Sequence, residues 1–379
     1  MGSNGSNGHS KSLVFVQLTG GNDALNTVVP INDEHYYNFR PAVQFQPEDL
    51  LELDGNIGLN PNMTAMKRLW DEGKVAIING IGYPNPNRSH FRSMDIWHTA
   101  EPTKVATEGW LGQLTRDLDP KGENVLTAVN FGRGLPRALS AQGVPVASVG
   151  DLATYGLYPD IRDETIRNQT LDMFSQMYGG SGKDAVKEFI QQTGRGVMQG
   201  ADILGTAPRN YSSSIEYADT SIAQSLKDAA QVMFADIGTR IFYTGQGSYD
   251  THAGEVPMHQ KLIGEMSNAV GDFWDDVEEH GYENDTAVVI FSEFGRRIKD
   301  NGSGTDHGSG GVAFVIGGGV KGGLYGDFPS LAPEDQLEGD MHFNNDFRSV
   351  YTDLLEDWMG VDAKPITNGT FEKLDIIKK

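Results

Sequence analysis

Short, unbroken apolar runs, each stopping at a cluster of polar residues, constrain this chain more than any other feature. Ser12–Leu18 (SLVFVQL) runs into Gly20-Gly21. Val75–Ile81 (VAIINGI), Thr286–Phe291 (TAVVIF) and Val312–Ile316 (VAFVI) repeat the pattern. Runs of this length without in–out alternation read as strands covered on both faces. Helical spacing separates the first two, through Met63, Met66, Leu69 and Trp70 of Pro61–Glu72, with Gly73 as the stop. His90–His98 follows as a second helix, with Phe91, Met94 and Trp97 on one side. Strand, helix, strand, helix predicts a parallel sheet with right-handed crossovers. Val125–Val129, Val144–Val149 and Thr239–Thr244 are further strand candidates; Val256–His280 and Asp346–Met359 read as helices. Asp151–Asp236 differs in character. Leu171, Met173, Phe174 and Met177, then Ile215, Ile222, Leu226, Ala230 and Phe234, fall at helical spacing and predict a mostly helical insertion or cap. Met1–Ser10 (MGSNGSNGHS) reads as a flexible linker or tag. The remaining residues, 11–379, then form one large α/β domain.

Composition removes several function classes. The 52 acidic and 30 basic residues leave a net charge of -22. That balance opposes non-specific nucleic-acid binding and docking on anionic lipid. The chain has no cysteine, which excludes disulfides, zinc–cysteine and iron–sulfur sites and a cysteine nucleophile. No apolar run approaches the roughly 20 residues of a membrane span. Gly317–Gly322 has dinucleotide-like glycine spacing, but Gly323-Leu324-Tyr325-Gly326 continues as a turn or hairpin instead of a helix. Asp300–Gly311 is reminiscent of a calcium loop, yet Gly311 stands where the bidentate acid belongs.

Chemistry gathers where the strands end. Gly20-Gly21-Asn22-Asp23 follows the first run, and Asn87-Arg88-Ser89-His90 follows the second and opens a helix. Gly247–His252, containing Asp250, follows Thr239–Thr244, and Ser292–Arg297, containing Glu293, follows Thr286–Phe291. Asn301–Gly308, with Asp306 and His307, lies just before Val312. In a parallel sheet the first four clusters share the carboxyl edge, where open α/β folds bind ligands. Singly, each has an ordinary reading: Asp23 or Ser89 as a helix cap, Glu293 paired with Arg296 or Arg297, His307 as a loop histidine. Together they offer oxygen and imidazole donors for one or two divalent ions, with zinc, calcium, manganese, iron and magnesium all admissible. A helix start at Ser89 and the Arg88 guanidinium suit an anion, so phosphoryl or sulfuryl transfer fits the set.

These stretches resemble a bacterial family of unknown function, family 1501, which is similar to the alkaline phosphatase and sulfatase superfamily. The resemblance is carried by Gly20–Pro30 (GGNDALNTVVP), Arg88–Phe91, Tyr249–His252, Ser292–Arg296, Gly304–Gly308 and Asp346–Tyr351. It implies a doubly wound, mostly parallel sheet with helices on both faces and metal at the carboxyl edge. By that likeness Asp23 takes the metal ligand of the first strand and Ser89 the nucleophile position. Asp250, His252, Glu293 and His307 are further metal ligands, and Asp306 is an added candidate. Arg88 and His90 are expected to contact the anion or the leaving group. Phe294 stands where a histidine ligand usually follows the acid, and the sulfatase signature is missing. Without cysteine, a cysteine-derived formylglycine is excluded. The expected activity is metal-dependent hydrolysis of small, sparsely charged phosphate or sulfate esters, through Ser89 or a metal-bound water. Thr27 is a weaker nucleophile candidate because it follows the first strand too soon. The rivals are a polysaccharide- or ligand-binding protein on a degenerate scaffold, and a phosphotransferase or mutase. A periplasmic or extracellular location is likewise implied by the resemblance, although this chain carries no signal peptide.

Overall fold

The computed structural model of the chain describes residues 8–152 and 203–379, with residues 155, 165, 166, 169, 170, 172, 173, 176, 200 and 201 between them. In chain order its strands are β1 (Ser12–Leu18), β2 (Val28–Pro30), β3 (Leu51–Glu52), β4 (Ile57–Leu59), β5 (Val75–Gly82), β6 (Ala128–Phe131) and β7 (Ala147–Val149). They continue as β8 (Ile241–Gln246), β9 (Thr286–Ser292), β10 (Arg296–Asp300), β11 (Thr305–His307), β12 (Gly311–Ile316), β13 (Gly323–Tyr325) and β14 (Asn345–Asp346).

The central sheet has the order β13-β5-β12-β9-β1-β8-β6-β7, with β14 also paired to β5. All its pairings are parallel except those of β12, which runs antiparallel to both β9 and β5. The expected mostly parallel sheet is therefore present, and β1 lies near its middle. Alternation along β1 makes the two layers. Val14, Val16 and Leu18 belong to one buried cluster, with Met66 and Leu69 from one helix and Phe273 and Trp274 from another. Leu13 and Phe15 face the opposite cluster, with Trp97, Trp110, Leu114 and Phe347. Burying each such side chain contributes roughly 1.5–3 kcal/mol, so neither face can be uncovered. Helices on both faces make the sheet doubly wound.

The helices that matter for the site are α1 (Ala24–Thr27), α2 (Glu34–Phe39), α3 (Thr64–Asp71) and α4 (His90–Thr99). A further helix, Glu255–Glu279, packs beside Ser221–Phe234 on the α3 face.

Several boundaries differ from the sequence reading. The strand expected from Val125 begins only at Ala128, because Asn124 first closes a turn, accepting from Leu126 N and the Thr127 side chain. The closing helix changes pitch, with Phe347–Thr352 α-helical and Asp353–Trp358 widening to π turns. Ile215 lies outside any helix, whereas Ile222, Leu226 and Ala230 are buried in Ser221–Phe234, a layer helix of the sheet. Met173 is 68% exposed, and Leu171, Phe174 and Met177 lie outside the described residues. Gly323–Tyr325 forms a parallel outer strand instead of a hairpin.

Candidate metal centre

Strand register brings the polar clusters together. Leu18 is level with Ser292 on one side and Gln246 on the other, so Gly20–Asp23, Gly247–His252 and Glu293–Arg296 leave the sheet at one edge. β5 ends at the same edge and delivers Arg88–His90 at the start of α4. The reversed β12 explains how the Asp306-His307 cluster joins them: the beginning of an antiparallel strand lies beside the ends of its neighbours. The turn after β1 is tight. Gly20 has φ +123°, and a Cβ there would lie 2.4 Å from the backbone nitrogen of Asp250. Only glycine lets the two loops approach this closely.

Asp250 is the focus of the site. Its Oδ1 lies 2.9 Å from His307 Nε2 and 3.1 Å from His252 Nε2, and its Oδ2 is 3.5 Å from His90 Nε2. The Nε2 atoms of His252 and His307 are 3.0 Å apart. Each histidine turns its other nitrogen to an acceptor. His90 Nδ1 meets Glu293 Oε1 at 2.8 Å, His252 Nδ1 meets Asp306 Oδ1 at 2.9 Å, and His307 Nδ1 meets the Arg88 carbonyl at 2.9 Å. Carboxylates and carbonyls only accept, so all three Nδ1 atoms carry hydrogen, and in the neutral form of each ring the Nε2 atom carries the lone pair. Three lone pairs then face a carboxylate with no donor among them, and His90 Nε2 is buried without a hydrogen-bond partner. Extra protons or a cation must fill that point. Imidazoles backed by a carboxylate or carbonyl are the usual arrangement of metal-binding histidines. His90, Asp250 and His307 offer ligand atoms within 4.8 Å of one another.

The surroundings tune these groups. Burial would raise the Asp250 carboxyl, but the hydrogen bond from Arg296 and its positive charge work against burial, and the group is held down at about 2. The hydrogen bond that His90 Nδ1 donates to Glu293 raises the pKa of His90. Glu293 is fully buried; its Oε1 also accepts from Gly20 N at 2.9 Å and its Oε2 from Ser292 Oγ at 3.0 Å. Burial works against its charge, and these hydrogen bonds nevertheless lower its pKa. Phe294 packs its ring 5.0 Å from His90 and 5.1 Å from His307. It forms an apolar wall beside the imidazoles.

The sequence-based candidates thus divide. Asp250, His252 and His307 converge, and His90 joins them as a fourth inward-facing group. Glu293 and Asp306 lie one bond behind, on His90 and His252. Asp23 is not in the cluster. It caps α1 by accepting from Leu25 N, and its Oδ2 is 2.5 Å from Arg40 Nη1, with both side chains fully buried. Burial would raise its carboxyl, but the Arg40 charge prevails and lowers it. Its neighbour Glu255 is raised by burial and then by the Asp23 charge. Arg88 is also committed elsewhere, with Nε 2.8 Å and Nη2 2.7 Å from Asp340 Oδ2. Ser89 is exposed at the N-cap of α4, and its hydroxyl makes no capping bond. Thr27 is buried and donates to the Asp23 carbonyl. A cleft of about 640 Å³ opens beside Arg88, lined by Asn85, Asn87, Glu338, His342 and Phe343.

Sequence reasoning missed two arginines. Arg296 stood in a recognised cluster but was weighed only as a partner for Glu293; it bonds to Asp250 instead. Arg40 belongs to no cluster, and nothing in its spacing from Asp23 announces a contact.

Comparison with known proteins adds a family. No curated protein matches. Similar solved structures include the lipoteichoic acid synthase LtaP from Listeria monocytogenes, at 9% identity and TM-score 0.43, over 95% of this chain and 74% of that one. A protein in the alkaline phosphatase superfamily from Vibrio parahaemolyticus matches at 10% identity and TM-score 0.37, over 95% and 69%. A 2-O GAG sulfatase matches at 12% identity and TM-score 0.38, over 96% and 76%. The family model described as a protein of unknown function, DUF1501, matches residues 10–368, which span every group of the centre; the chain belongs to that family.

Proposed function

We propose that this protein is a divalent-metal-dependent hydrolase of phosphate or sulfate esters. The observation that carries the reading is the convergence of three imidazole Nε2 atoms on Asp250, each with its Nδ1 turned to an acceptor. His90, Asp250, His252 and His307 would hold the ion, with Glu293 and Asp306 orienting His90 and His252. A bound divalent ion supplies Lewis-acid polarisation and neutralises charge developing on the ester oxygens.

The chain's own residues do the rest. Ser89 stands next to His90 at the head of a ten-residue helix, where the free N–H groups favour an anion. Its uncapped hydroxyl is the nucleophile of this reading. Attack by Ser89 Oγ on phosphorus or sulfur releases the alcohol and leaves an ester on the serine, which water then cleaves. Asp340 fixes the Arg88 side chain, and the Arg88 carbonyl keeps His307 turned inward. The cleft beside Arg88 gives the alcohol portion room, and a periplasmic or extracellular setting fits the family resemblance.

The test is metal content of the purified protein together with hydrolysis of aryl phosphate and aryl sulfate. Bound metal and turnover, both lost in Asp250→Ala and His252→Ala, are expected. A metal-free protein whose turnover these variants leave unchanged refutes the reading. A phosphoserine trapped at Ser89 without net hydrolysis would move the assignment to group transfer.

A further inference from the structure

We propose that the centre takes a single cation per chain, because two buried arginines already hold the carboxylates that a second cation would need. This inference rests on the metal reading above. A two-ion site needs carboxylates that can reach both ions, about 4 Å apart. Of the carboxylates at this edge, Glu293 and Asp306 are taken up by the Nδ1 atoms of His90 and His252, and Asp250 and Asp23 are each bonded to a guanidinium.

Arg296 has no exposed side-chain surface. Its Nη2 donates to Asp250 Oδ1 at 2.8 Å, to the Tyr249 carbonyl at 2.8 Å and to the Gly20 carbonyl at 2.5 Å. Its Nε donates to the Gly21 carbonyl at 2.7 Å and its Nη1 to the Thr305 carbonyl at 3.0 Å. Asp250 is the one anion among these acceptors. Arginine does not lose its proton inside proteins, so it stands as a permanent cation at the inner end of Asp250. Oδ1 of Asp250 is thus shared between this guanidinium and the imidazoles.

Arg40 closes the other position. It bonds to Asp23 Oδ2 at 2.5 Å, to the Arg297 carbonyl at 2.7 Å and to the Ile298 carbonyl at 2.9 Å. Drawing Asp23 toward a metal would strand this charge among carbonyls. The neighbouring donors are also engaged. Glu255 bonds to Thr305 Oγ1 at 2.5 Å and Asn26 Nδ2 at 3.2 Å, and His259 Nε2 lies 2.9 Å from Asn22 Oδ1. Asp23, Arg40, Glu255 and His259 are all at most 1% exposed, so an ion has no open approach to them. The fold thus carries its own fixed cations where a second metal would sit.

The experiment is the metal stoichiometry of the full chain. Metal-free protein is loaded with excess zinc, desalted and weighed by native mass spectrometry; a parallel manganese-loaded sample is examined by electron paramagnetic resonance. One zinc per chain and an uncoupled manganese spectrum are expected. Two retained zinc ions, or a spin-coupled manganese pair, overturn the inference and leave the metal reading standing. No retained metal under any loading refutes the metal reading itself. Asp23→Asn should keep one zinc with its dissociation constant within about twofold, as for a group outside the ligand set. Loss of zinc from a folded Asp23→Asn protein would place Asp23 among the ligands and overturn the proposal. If that variant fails to fold, the wild-type mass and manganese spectrum still decide.

Discussion

Asp23→Asn tests what the first carboxylate after β1 is for. Asparagine keeps the shape, and its side-chain oxygen still accepts from Leu25 N, so the cap on α1 survives. The Oδ2 that accepts from Arg40 Nη1 becomes an NH2 group, so both the charge and the acceptor facing Arg40 are lost. Both side chains are fully buried at 2.5 Å, and the remaining acceptors of Arg40 are neutral carbonyls. Removing one partner of a buried ion pair costs about 3–5 kcal/mol, chiefly because the surviving charge is left uncompensated. That is a large share of the roughly 5–15 kcal/mol that holds a folded protein together. With a urea slope near 3 kcal/mol/M, the midpoint should fall by about 1–1.7 M. The assay is urea unfolding followed by tryptophan fluorescence and circular dichroism. The double variant Asp23→Asn/Arg40→Met should recover part of the loss, since it removes the stranded charge as well. A single variant as stable as wild type, or a double variant worse than the sum of the singles, would refute the account of Asp23 as an ion-pair partner.

Two further outcomes are expected. Glu293→Gln keeps the volume behind His90 but removes the charge that strengthens its Nε2 as a donor. Zinc affinity should fall about tenfold or more in a chelator competition, and an unchanged affinity would remove His90 from the ligand set. His98 gives a pH dependence away from the centre. It is buried against Gln17 Oε1 at 2.8 Å and the Tyr243 hydroxyl at 3.1 Å, and burial lowers its pKa from 6.5 to about 4. Between those values the unfolded chain binds a proton that the folded chain refuses. Stability from this group is therefore present above about pH 6.5 and is lost by about 3 kcal/mol as pH falls toward 4. His98→Gln should flatten that part of the urea-midpoint-against-pH curve; an unaltered slope would show that His98 is not its source.

How much of this was legible depended on the range of the signal. β1, β5, β9 and β12 are written as local apolar runs, and reading them needs no knowledge of partners. The direction of β12 is not local. Val312–Ile316 looks the same in either orientation, and only its pairing shows why His307 reaches the centre. The donor cluster was readable as polar residues after strands, which is how Asp250, His252 and His307 were found. The nearer layer from the farther was not readable. Glu293 and Asp306 have a ligand's chemistry, and only distances place them behind His90 and His252. Asp23 is a related case. Its position after β1 suits an ion, but the cation that meets it is Arg40, brought back by the chain through α2. Buried arginines are hard to foresee, because burial is a property of the packed whole and arginine's own preference is for the surface.

The place of β1 in the sheet has a consequence for the order in which this protein can be made. Among the described residues, β1 leaves the ribosome before the other strands, yet its two neighbours are β8 and β9. At ordinary synthesis rates of roughly 5–20 residues per second, Ser292 follows Leu18 after about 15–55 s. Until β8 follows, a continuous apolar strand has both hydrogen-bonding edges open, and one edge stays open until β9 is made, which is the condition under which strands pair with the wrong chain. β9 and β12 fill the middle of the sheet late, ahead only of β13 and β14, and the three histidines are gathered only when His307 and β12 arrive. Until β8 follows, β1 has to be shielded by something other than its own sheet.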